Sequence, residues 1–234
     1  MMRLDKMLAH TGYGSRKEVK EFIRKGYVMV NGEVITDDDY KVDEVNDEIT
    51  IANEEVTYEK KIYLMLNKPD GYISATYDPK EPIVLDLIDG YEKRGLFPVG
   101  RLDKDTVGLL LITNDGKLAH KLLSPKSHVD KVYYLKYDGK FTKNAESLFF
   151  NGVVLDDGYK CMPALFKELG PNEGEITIKE GKYHQVKRMM EAVGCEVTFL
   201  ERISFGPLPL DKNLGRGEYR HLTEEEVKLL EDEK

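Results

Sequence analysis

Three parts of this sequence place charged or reactive side chains beside stretches that are typical of a buried strand or a helix start. Asp103 follows Arg101 by two residues and precedes the apolar run 107–112. Tyr133 stands in an alternating strand pattern, and residues 181–188 (Gly-Lys-Tyr-His-Gln-Val-Lys-Arg) open a predicted helix with several cations. A carboxylate on a loop beside a rigid strand is a common way to present a reactive group.

Taken singly, each of these features also has an ordinary structural explanation. Loops are rich in aspartate because its side chain bonds to nearby backbone, so Asp103 could be a solvated loop residue or a cap. Tyr133 could be a half-buried strand aromatic, and Lys187 and Arg188 could be solvated. The spacing alone favours these ordinary explanations, and the rest of the chain has to decide.

Length and composition limit the class of protein. The 234 residues are enough for one large domain or two, and 41% of them are hydrophobic, which is sufficient for a core. No run of 18 apolar residues exists and the first residues contain no apolar signal segment, so we expect a cytoplasmic protein without a membrane span. Cys161, Cys195 and the five scattered histidines match no metal or redox spacing, so we expect reduced thiols and no metal site.

The negative charge is concentrated in two segments. Within a net charge of −8, residues 37–59 contribute −9 and residues 223–234 contribute −4. Residues 1–36 carry +3 and residues 60–222 carry +2. The overall acidity therefore does not exclude a nucleic-acid partner, because distribution rather than net charge decides what a surface binds.

The first 36 residues predict two helices and a hairpin. Leu4, Met7 and Leu8 have helical spacing, and the Ser15 to Glu18 capping box starts a second helix. An Asn-Gly turn at residue 31 separates two short strands. The second helix carries basic residues four apart, which is typical either of a small nucleic-acid-binding module or of a solvated charged face.

Residues 2–50 closely resemble the S4 RNA-binding domain. The resemblance rests on the Arg-Leu-Asp-Lys start at residue 3, the Ser-Arg pair at residue 15 and the Asn-Gly hairpin. It implies phosphate contacts by the basic helix face, which position a protein on RNA but carry little base information. The implied RNA-binding residues are Arg3, Arg16, Lys17, Lys20, Arg24 and Lys25.

The chain from residue 60 onward predicts a mixed α+β domain. Residues 52–60 have the composition of a linker, so we divide the chain into 1–59 and 60–234. Strand patterns at 62–66, 107–112, 131–137, 174–179 and 196–205 alternate with helical patterns at 117–123, 143–150 and 184–193, before an acidic C-terminal helix capped by Thr223. Some of these elements are joined by hairpin-length loops and others by helices, which favours α+β over a doubly wound parallel sheet.

The motifs of this second domain, taken together, resemble the pseudouridine synthases of the RsuA branch. The matching stretches are Asn67-Lys68-Pro69-x-Gly71, GRLDKDTVGLLLITNDG (100–116), Lys131-Val-Tyr133, EGKYHQVKRMMEAVG (180–194) and Gly217-x-Tyr219-Arg220-x-Leu222. The resemblance covers nearly the whole chain and implies a mixed, mainly antiparallel sheet flanked by helices behind an S4 domain. Lys187 stands where some relatives have arginine, which preserves a cation but not a bidentate contact.

This resemblance implies that uridine in RNA is converted to pseudouridine without metal or cofactor. Asp103 would be the essential carboxylate, which either attacks C1′ of the ribose or removes a ribose proton, and Lys187 would be the cation that keeps it ionised. Tyr133 would stack on the uracil and assist removal of the C5 proton. The implied substrate-binding residues are Arg101, Val186, Lys68 and Gln185.

The resemblance leaves the target RNA open. The spacing between the motifs is most like that of enzymes acting on small-subunit (16S) ribosomal RNA, and a large-subunit (23S) target is the alternative. The expected partner is ribosomal RNA or a ribosome-assembly intermediate, and the expected state is a monomer. A non-catalytic RNA-binding assembly factor is the alternative from another class, although an intact Asp103, Tyr133 and Lys187 argue against it.

Overall fold

The computed structural model describes residues 1–44, 46–56, 58, 61–91 and 94–233. It divides into two compact units, Met1–Ile62 with Asp89–Leu96 and Tyr63–Ile88 with Phe97–Lys234. The grouping of Asp89–Leu96 with the first unit was not predicted. The predicted domain boundary at residue 60 stays a prediction.

The first unit packs two helices against small antiparallel sheets. Its elements are β1 (Met2–Arg3), α1 (Leu4–His10), α2 (Arg16–Arg24), β2 (Val28–Val30), β3 (Glu33–Ile35), β4 (Lys41–Val42), β5 (Ile49–Ile51) and β6 (Glu54–Glu55). Ser15 and Glu18 form the predicted capping box, so α2 begins where the sequence indicates. Leu4, Leu8, Val19 and Ile23 are fully buried in the core of this unit. The strand order is β3-β2-β5-β6, and β1 pairs separately with β4.

Part of the predicted linker is folded. Residues 52–60 were expected to lack regular structure, but Glu54–Glu55 pairs with Thr50 and Ile51 of β5. Asn53, with a positive φ of 68°, lies in the tight connection between these strands, where asparagine tolerates the left-handed region. Residues 57, 59 and 60 of the linker prediction lie outside the described residues.

The second unit is a large mixed sheet with helices. Its elements are β7 (Tyr63–Lys68), a 3₁₀ turn (Val84–Leu87), β8 (Phe97–Pro98), β9 (Val107–Thr113), α3 (Gly116–Leu123), β10 (Lys131–Gly139), α4 (Ala145–Asn151), β11 (Leu165–Gly170), β12 (Glu173–Ile178), α5 (Gln185–Ala192), β13 (Cys195–Phe205), β14 (Leu208–Pro209), β15 (Tyr219–His221) and α6 (Glu224–Asp232). The strand order is β11-β12-β10-β13-β9-β7-β15. Every strand pair along this order is antiparallel except β13 with β9, which confirms the predicted α+β class with a mixed, mainly antiparallel sheet.

Strand β9 is the rigid centre of this unit. All seven of its residues are buried, as expected for a central strand covered on both faces. Gly108 interrupts the apolar run because a Cβ there would lie 2.4 Å from the backbone oxygen of Arg202 on β13. The glycine therefore allows β9 and β13 to approach closely, and the loop that precedes β9 is held against a fixed element.

Several strands of this unit were not predicted, and β11 and β15 show why. The residues of β11 are exposed or half-buried, and β15 is only three residues long, so neither shows a clear alternating pattern. Short or edge strands depend on their neighbours more than on their own sequence.

Candidate active site

The second unit contains a cavity of about 910 Å³ that brings most of the predicted site residues together. The lining comes from the loop before β9, from β10 and β13, and from the segment before α5. Among the predicted residues it includes Arg101, Asp103, Tyr133, Gln185 and Val186. Lys68 and Lys187 were also predicted for this site but are not part of the lining.

The loop that carries Asp103, residues 100–106, is held by buried hydrogen bonds. The backbone N–H of Leu102 donates to Ser74 Oγ at 3.0 Å, and the Ser74 hydroxyl donates to the Leu102 carbonyl at 2.9 Å. The backbone N–H of Thr106 donates to the carbonyl of Asp103 at 3.1 Å. The Asp103 side chain itself is 31% exposed, and its ion-pair partner is His184, with Nε2 at 3.7 Å from Oδ1. The carboxylate is thus presented to the cavity from a fixed backbone.

Lys187 pairs with a different carboxylate from the one predicted. Its Nζ lies 2.7 and 2.6 Å from the two carboxylate oxygens of Asp105, so the expectation of a Lys187–Asp103 pair is wrong for this structure. Burial raises the pKa of Asp105, but the hydrogen bond and charge of Lys187 outweigh burial and hold that pKa below its usual value. Helix α5, which begins at Gln185, thus places the ammonium against Asp105, two residues beyond Asp103.

Lys68 is not an RNA contact, which corrects a second prediction. Its side chain is fully buried, and its Nζ donates to the carbonyls of Pro69, Lys104 and Thr106 at 3.1, 3.0 and 2.8 Å. Burial lowers the pKa of Lys68 to about 8. This ammonium therefore fixes the loop of residues 100–106 from beneath, since two of its three acceptors belong to that loop or end it.

Tyr133 and Val186 lie at the surface of the cavity with little exposure. Both are buried, with exposures of 7% and 4%, and both line the cavity. Gln185 also lines it, but its amide is already engaged: Nε2 donates to Glu180 at 2.9 Å, and Oε1 accepts the backbone N–H of Lys182 at 2.9 Å. Gln185 thus stabilises the turn before α5, where His184 adopts a left-handed φ of 48°.

Two cations on the cavity wall were missed by sequence reasoning. Lys131 and Arg202 are 8% and 2% exposed, and both line the cavity. Each lies inside a strand whose sequence pattern gives no sign of a site, so each is predicted to be an exposed surface charge. A usable signal for Lys131 was its position two residues before Tyr133, which places both side chains on one face of β10.

The basic face of the first unit, defined here as Arg16, Lys17, Lys20 and Arg24, lies along α2 as predicted. Asp38 accepts a hydrogen bond from Arg24 at 2.7 Å, and its carboxylate lies 3.5 Å from Lys20 Nζ. Arg3 pairs with Asp5 and Asp39, and Lys25 pairs with Glu21. In the part of the chain that the structure describes, Arg16 and Lys17 have no acidic partner.

The described residues contain no group of three or more His, Cys, Asp or Glu side chains that could hold a metal ion. In the same described ranges, no helix has the length and apolar character that crossing a membrane requires.

Comparison with known proteins identifies both parts of the chain. Residues 62–192 match the model of the RNA pseudouridylate synthase family, and residues 2–49 match that of the S4 domain. The chain is 49% identical to an uncharacterised RNA pseudouridine synthase of Bacillus subtilis over 99% of both chains. It is 41% identical to the ribosomal large subunit pseudouridine synthase B of the same organism, covering 98% of this chain and 96% of that protein.

A small-subunit enzyme and a solved structure are similarly related. The chain is 39% identical to the ribosomal small subunit pseudouridine synthase A of Escherichia coli, over 97% of this chain and 98% of that protein. A crystal structure of a pseudouridylate synthase matches with a TM-score of 0.69 and 35% identity, over 98% of this chain and all of that one. The protein therefore belongs to the RNA pseudouridine synthases of the RsuA branch, which carry an S4 domain before the synthase domain.

Proposed function

We propose that this enzyme isomerises a uridine of ribosomal RNA, and specifically of small-subunit RNA, with Asp103 as the reacting carboxylate. The observation that carries the proposal is the placement of Asp103 and Tyr133 in one cavity, the carboxylate on a braced loop and the phenol on a strand. A base in RNA has to leave its stack before an enzyme can act on it, and this cavity has room for one flipped nucleotide.

The proposed reaction needs only groups of this chain. Asp103, ionised, either attacks C1′ of the ribose or removes a ribose proton while the bond from C1′ to N1 of uracil breaks. The uracil turns, and its C5 bonds to C1′ as the bond from C1′ to Asp103 breaks or, on the other route, as the ribose takes its proton back from Asp103. Loss of the C5 proton, assisted by the Tyr133 hydroxyl, and protonation of N1 complete the isomerisation. Arg101 and Val186 would hold the flipped nucleotide.

We retain a proposed catalytic role for Lys187. That role requires bound RNA to turn the Lys187 ammonium from Asp105 toward Asp103. In the free protein its ammonium is bound to Asp105, two residues beyond Asp103. Both carboxylates lie on one short loop, so a phosphate or ribose arriving there can change which of them Lys187 faces. His184, whose Nε2 lies 3.7 Å from Asp103 Oδ1, is the other basic side chain beside this carboxylate.

The first unit is proposed to dock the RNA. Its candidate contacts are the basic face together with Arg3 and Lys25, and phosphate contacts of this kind give binding that weakens with salt. We further propose that residues 1–59 dock the RNA and that residues 60–234 carry out the reaction. The protein would act as a cytoplasmic monomer on ribosomal RNA or an assembly intermediate.

The choice of subunit rests on sequence spacing. The segment KPDGYISATYDPKEPIVLDLI of residues 68–88 and the sequence HLTEEEVKLL of residues 221–230 resemble small-subunit enzymes. A large-subunit target is the second candidate, and the 41% identity to a ribosomal large subunit pseudouridine synthase favours it.

A map of pseudouridine in both ribosomal RNAs, from cells with and without the gene, decides between the two candidate targets. We expect one small-subunit position to lose its pseudouridine on deletion and to regain it with the wild-type gene but not with Asp103→Asn. Loss at a large-subunit position would replace the proposed target with the second candidate. An unchanged map in both RNAs would contradict the proposal and favour a non-catalytic RNA-binding role.

A further inference from the structure

Arg202 is a buried cation with unused hydrogen-bonding capacity. Its side chain is 2% exposed, and its Nε donates to the carbonyl of Leu109 at 2.7 Å. Its Nη2 is buried and has no hydrogen-bond partner among the described residues. Leaving a buried guanidinium nitrogen unpaired costs stability, so such a group calls for an explanation.

The strand register places Arg202 beside the residues of the proposed active site. On β13, Arg202 lies opposite Tyr133 of β10 on one side and opposite Gly108 of β9 on the other. Paired residues of neighbouring strands point to the same face of a sheet. Arg202 therefore lies between the proposed uracil-stacking tyrosine and the strand that follows the Asp103 loop, and it lines the same cavity as Tyr133 and Asp103.

Lys131 adds a second positive charge to this surface. Its Nζ donates to the carbonyl of Val129 at 2.7 Å. Lys131 Nζ and Arg202 Cζ lie 5.4 and 5.2 Å from the centre of the Phe205 ring. We call Lys131, Tyr133, Arg202 and Phe205 the cavity floor.

The floor is electropositive. Burial, and next the charge of Arg202, lower the pKa of Lys131 to about 8, against weaker opposing effects of Asp130 and Glu180. Within the described ranges, no carboxylate forms an ion pair with either cation. Two buried cations without an anionic partner are costly together, so the missing partner is expected to be an anion that arrives with the substrate.

We propose that Arg202, supported by Lys131, donates hydrogen bonds to the carbonyl oxygens of the flipped uracil and stabilises the uracil anion during the reaction. The proposal rests on the proposed function of the cavity but not on which ribosomal subunit is modified. It assigns the charge to the base rather than to a phosphate because Arg202 is buried beside Tyr133, on which the base would stack.

The anion is required by the electron count of the reaction. When the bond from C1′ to N1 breaks, both of its electrons stay with uracil, and the negative charge spreads over N1 and the two carbonyl oxygens. The deficiency at C1′ is met by an oxygen of Asp103 or by loss of a ribose proton. The charge leaves the ring when C5 donates an electron pair to C1′, while the bond from C1′ to Asp103 breaks and its electrons return to the carboxylate, or while the ribose takes back its proton. A preorganised donor at those oxygens acts most strongly between these two steps.

The test compares Arg202→Met and Arg202→Lys with wild type in single turnovers on an RNA fragment that wild type modifies. Each RNA carries either uridine or 5-fluorouridine at the target, and loss of the parent nucleoside is measured with excess enzyme. For uridine, we expect Arg202→Met to slow conversion by roughly 10²- to 10³-fold, the loss typical of one preorganised donor. For 5-fluorouridine the factor should be clearly smaller, because fluorine already stabilises the anion. Arg202→Lys should lose less than Arg202→Met.

Arg220→Met is the matched control. Arg220 pairs with Asp211 and Glu226 in the same unit and is not part of the cavity lining, so its loss should lower the melting temperature and leave the ratio of the two rates unchanged. If Arg202→Met fails to fold, Arg202→Lys carries the test, and its loss should again be larger with uridine.

Two results would overturn the proposal. Equal factors for both nucleosides in a folded Arg202 variant would show a structural role only. A fall of about one in the slope of log Kd against log salt, with normal turnover of bound RNA, would assign Arg202 to a phosphate. Neither result would contradict the proposed isomerisation of a ribosomal RNA uridine, which the pseudouridine map and the Asp103→Asn variant test separately.

Discussion

The basic face of the first unit and the cavity floor of the second unit hold positive charge in opposite ways. On the basic face, Lys20 and Arg24 are at least partly exposed and share Asp38 as a partner. On the cavity floor, Lys131 and Arg202 are buried and have no carboxylate partner among the described residues. Exposed ion pairs exchange partners at little cost, whereas buried unpaired cations are costly. The first arrangement suits adjustable docking to phosphates, and the second suits one specific chemical group.

The same contrast separates binding from chemistry. Phosphate contacts are salt-sensitive and tolerant of sequence, so changes on the basic face should alter affinity. Groups on the cavity floor and on the Asp103 loop act on one base, so changes there should alter the rate at which bound RNA is converted to product. Variants in each region can therefore test whether binding and chemistry are separate properties of the two units.

The largest of these effects is expected for Tyr133→Phe. The phenylalanine keeps the stacking surface but has no hydroxyl to help remove the C5 proton. The rate at which bound RNA is converted should therefore fall by about 10²- to 10⁴-fold. Tritium release from 5-tritiated uridine in RNA measures that step. Tyr134→Phe, one residue along the same strand, is the control and should behave like wild type. A Tyr133→Phe enzyme with normal tritium release would show that the hydroxyl has no role.

A smaller effect is expected for Lys68→Met, which tests the support beneath the Asp103 loop. Removing the ammonium leaves the carbonyls of Lys104 and Thr106 without their donor, and a buried unsatisfied polar group costs about 1–3 kcal/mol. The free energy of unfolding from urea titration at pH 7 should fall accordingly. An unchanged value would show that the loop needs no such support.

The pH dependence gives this variant a second readout. Because burial lowers the pKa of Lys68 to about 8, below its unfolded value of about 10.4, the unfolded state binds more protons between those two values. The stability of wild type relative to Lys68→Met should therefore rise as pH increases through that window. A difference that is constant from pH 7 to pH 10 would show that Lys68 is not buried as an ammonium.

The smallest effect is expected for Asp38→Asn on the basic face. Removing this carboxylate frees Arg24 and leaves Lys20 with Asp5 alone, at 3.7 Å, so RNA should bind more tightly by roughly two- to fivefold at low salt. Asp37→Asn is the matched control, because it makes the same change of net charge and, among the described residues, its carboxylate contacts only the backbone N–H of Asp39. Filter binding or anisotropy measures both. Equal tightening in the two variants would mean that net charge alone is responsible.

Much of the fold could be predicted because the local signals are strong. The capping box at Ser15 fixed the start of α2, and the apolar run at 107–112 fixed β9, since both depend on neighbours in sequence. Strand β15 was not predicted, because it depends on pairing with β7, a partner about 150 residues away.

The sequence indicated which side chains to examine but not the contacts that they make. Motifs brought Asp103 and Tyr133 to one cavity, yet Lys68 was expected to face RNA and Lys187 to face Asp103. Sequence gives the type of a charged side chain but not its direction or its partner, and these depend on how the loop before β9 lies over β7 and α5. Arg202 was missed for the same reason, because a cation within a strand usually points to solvent.

The central claim is that Asp103 performs the chemistry while RNA docking is a separate property of the chain. The most direct measurement is a single turnover of Asp103→Asn at saturating RNA, with the dissociation constant determined on the same preparation. We expect no pseudouridine to form and the dissociation constant to match that of wild type. Pseudouridine formed at a rate near that of wild type would contradict the account.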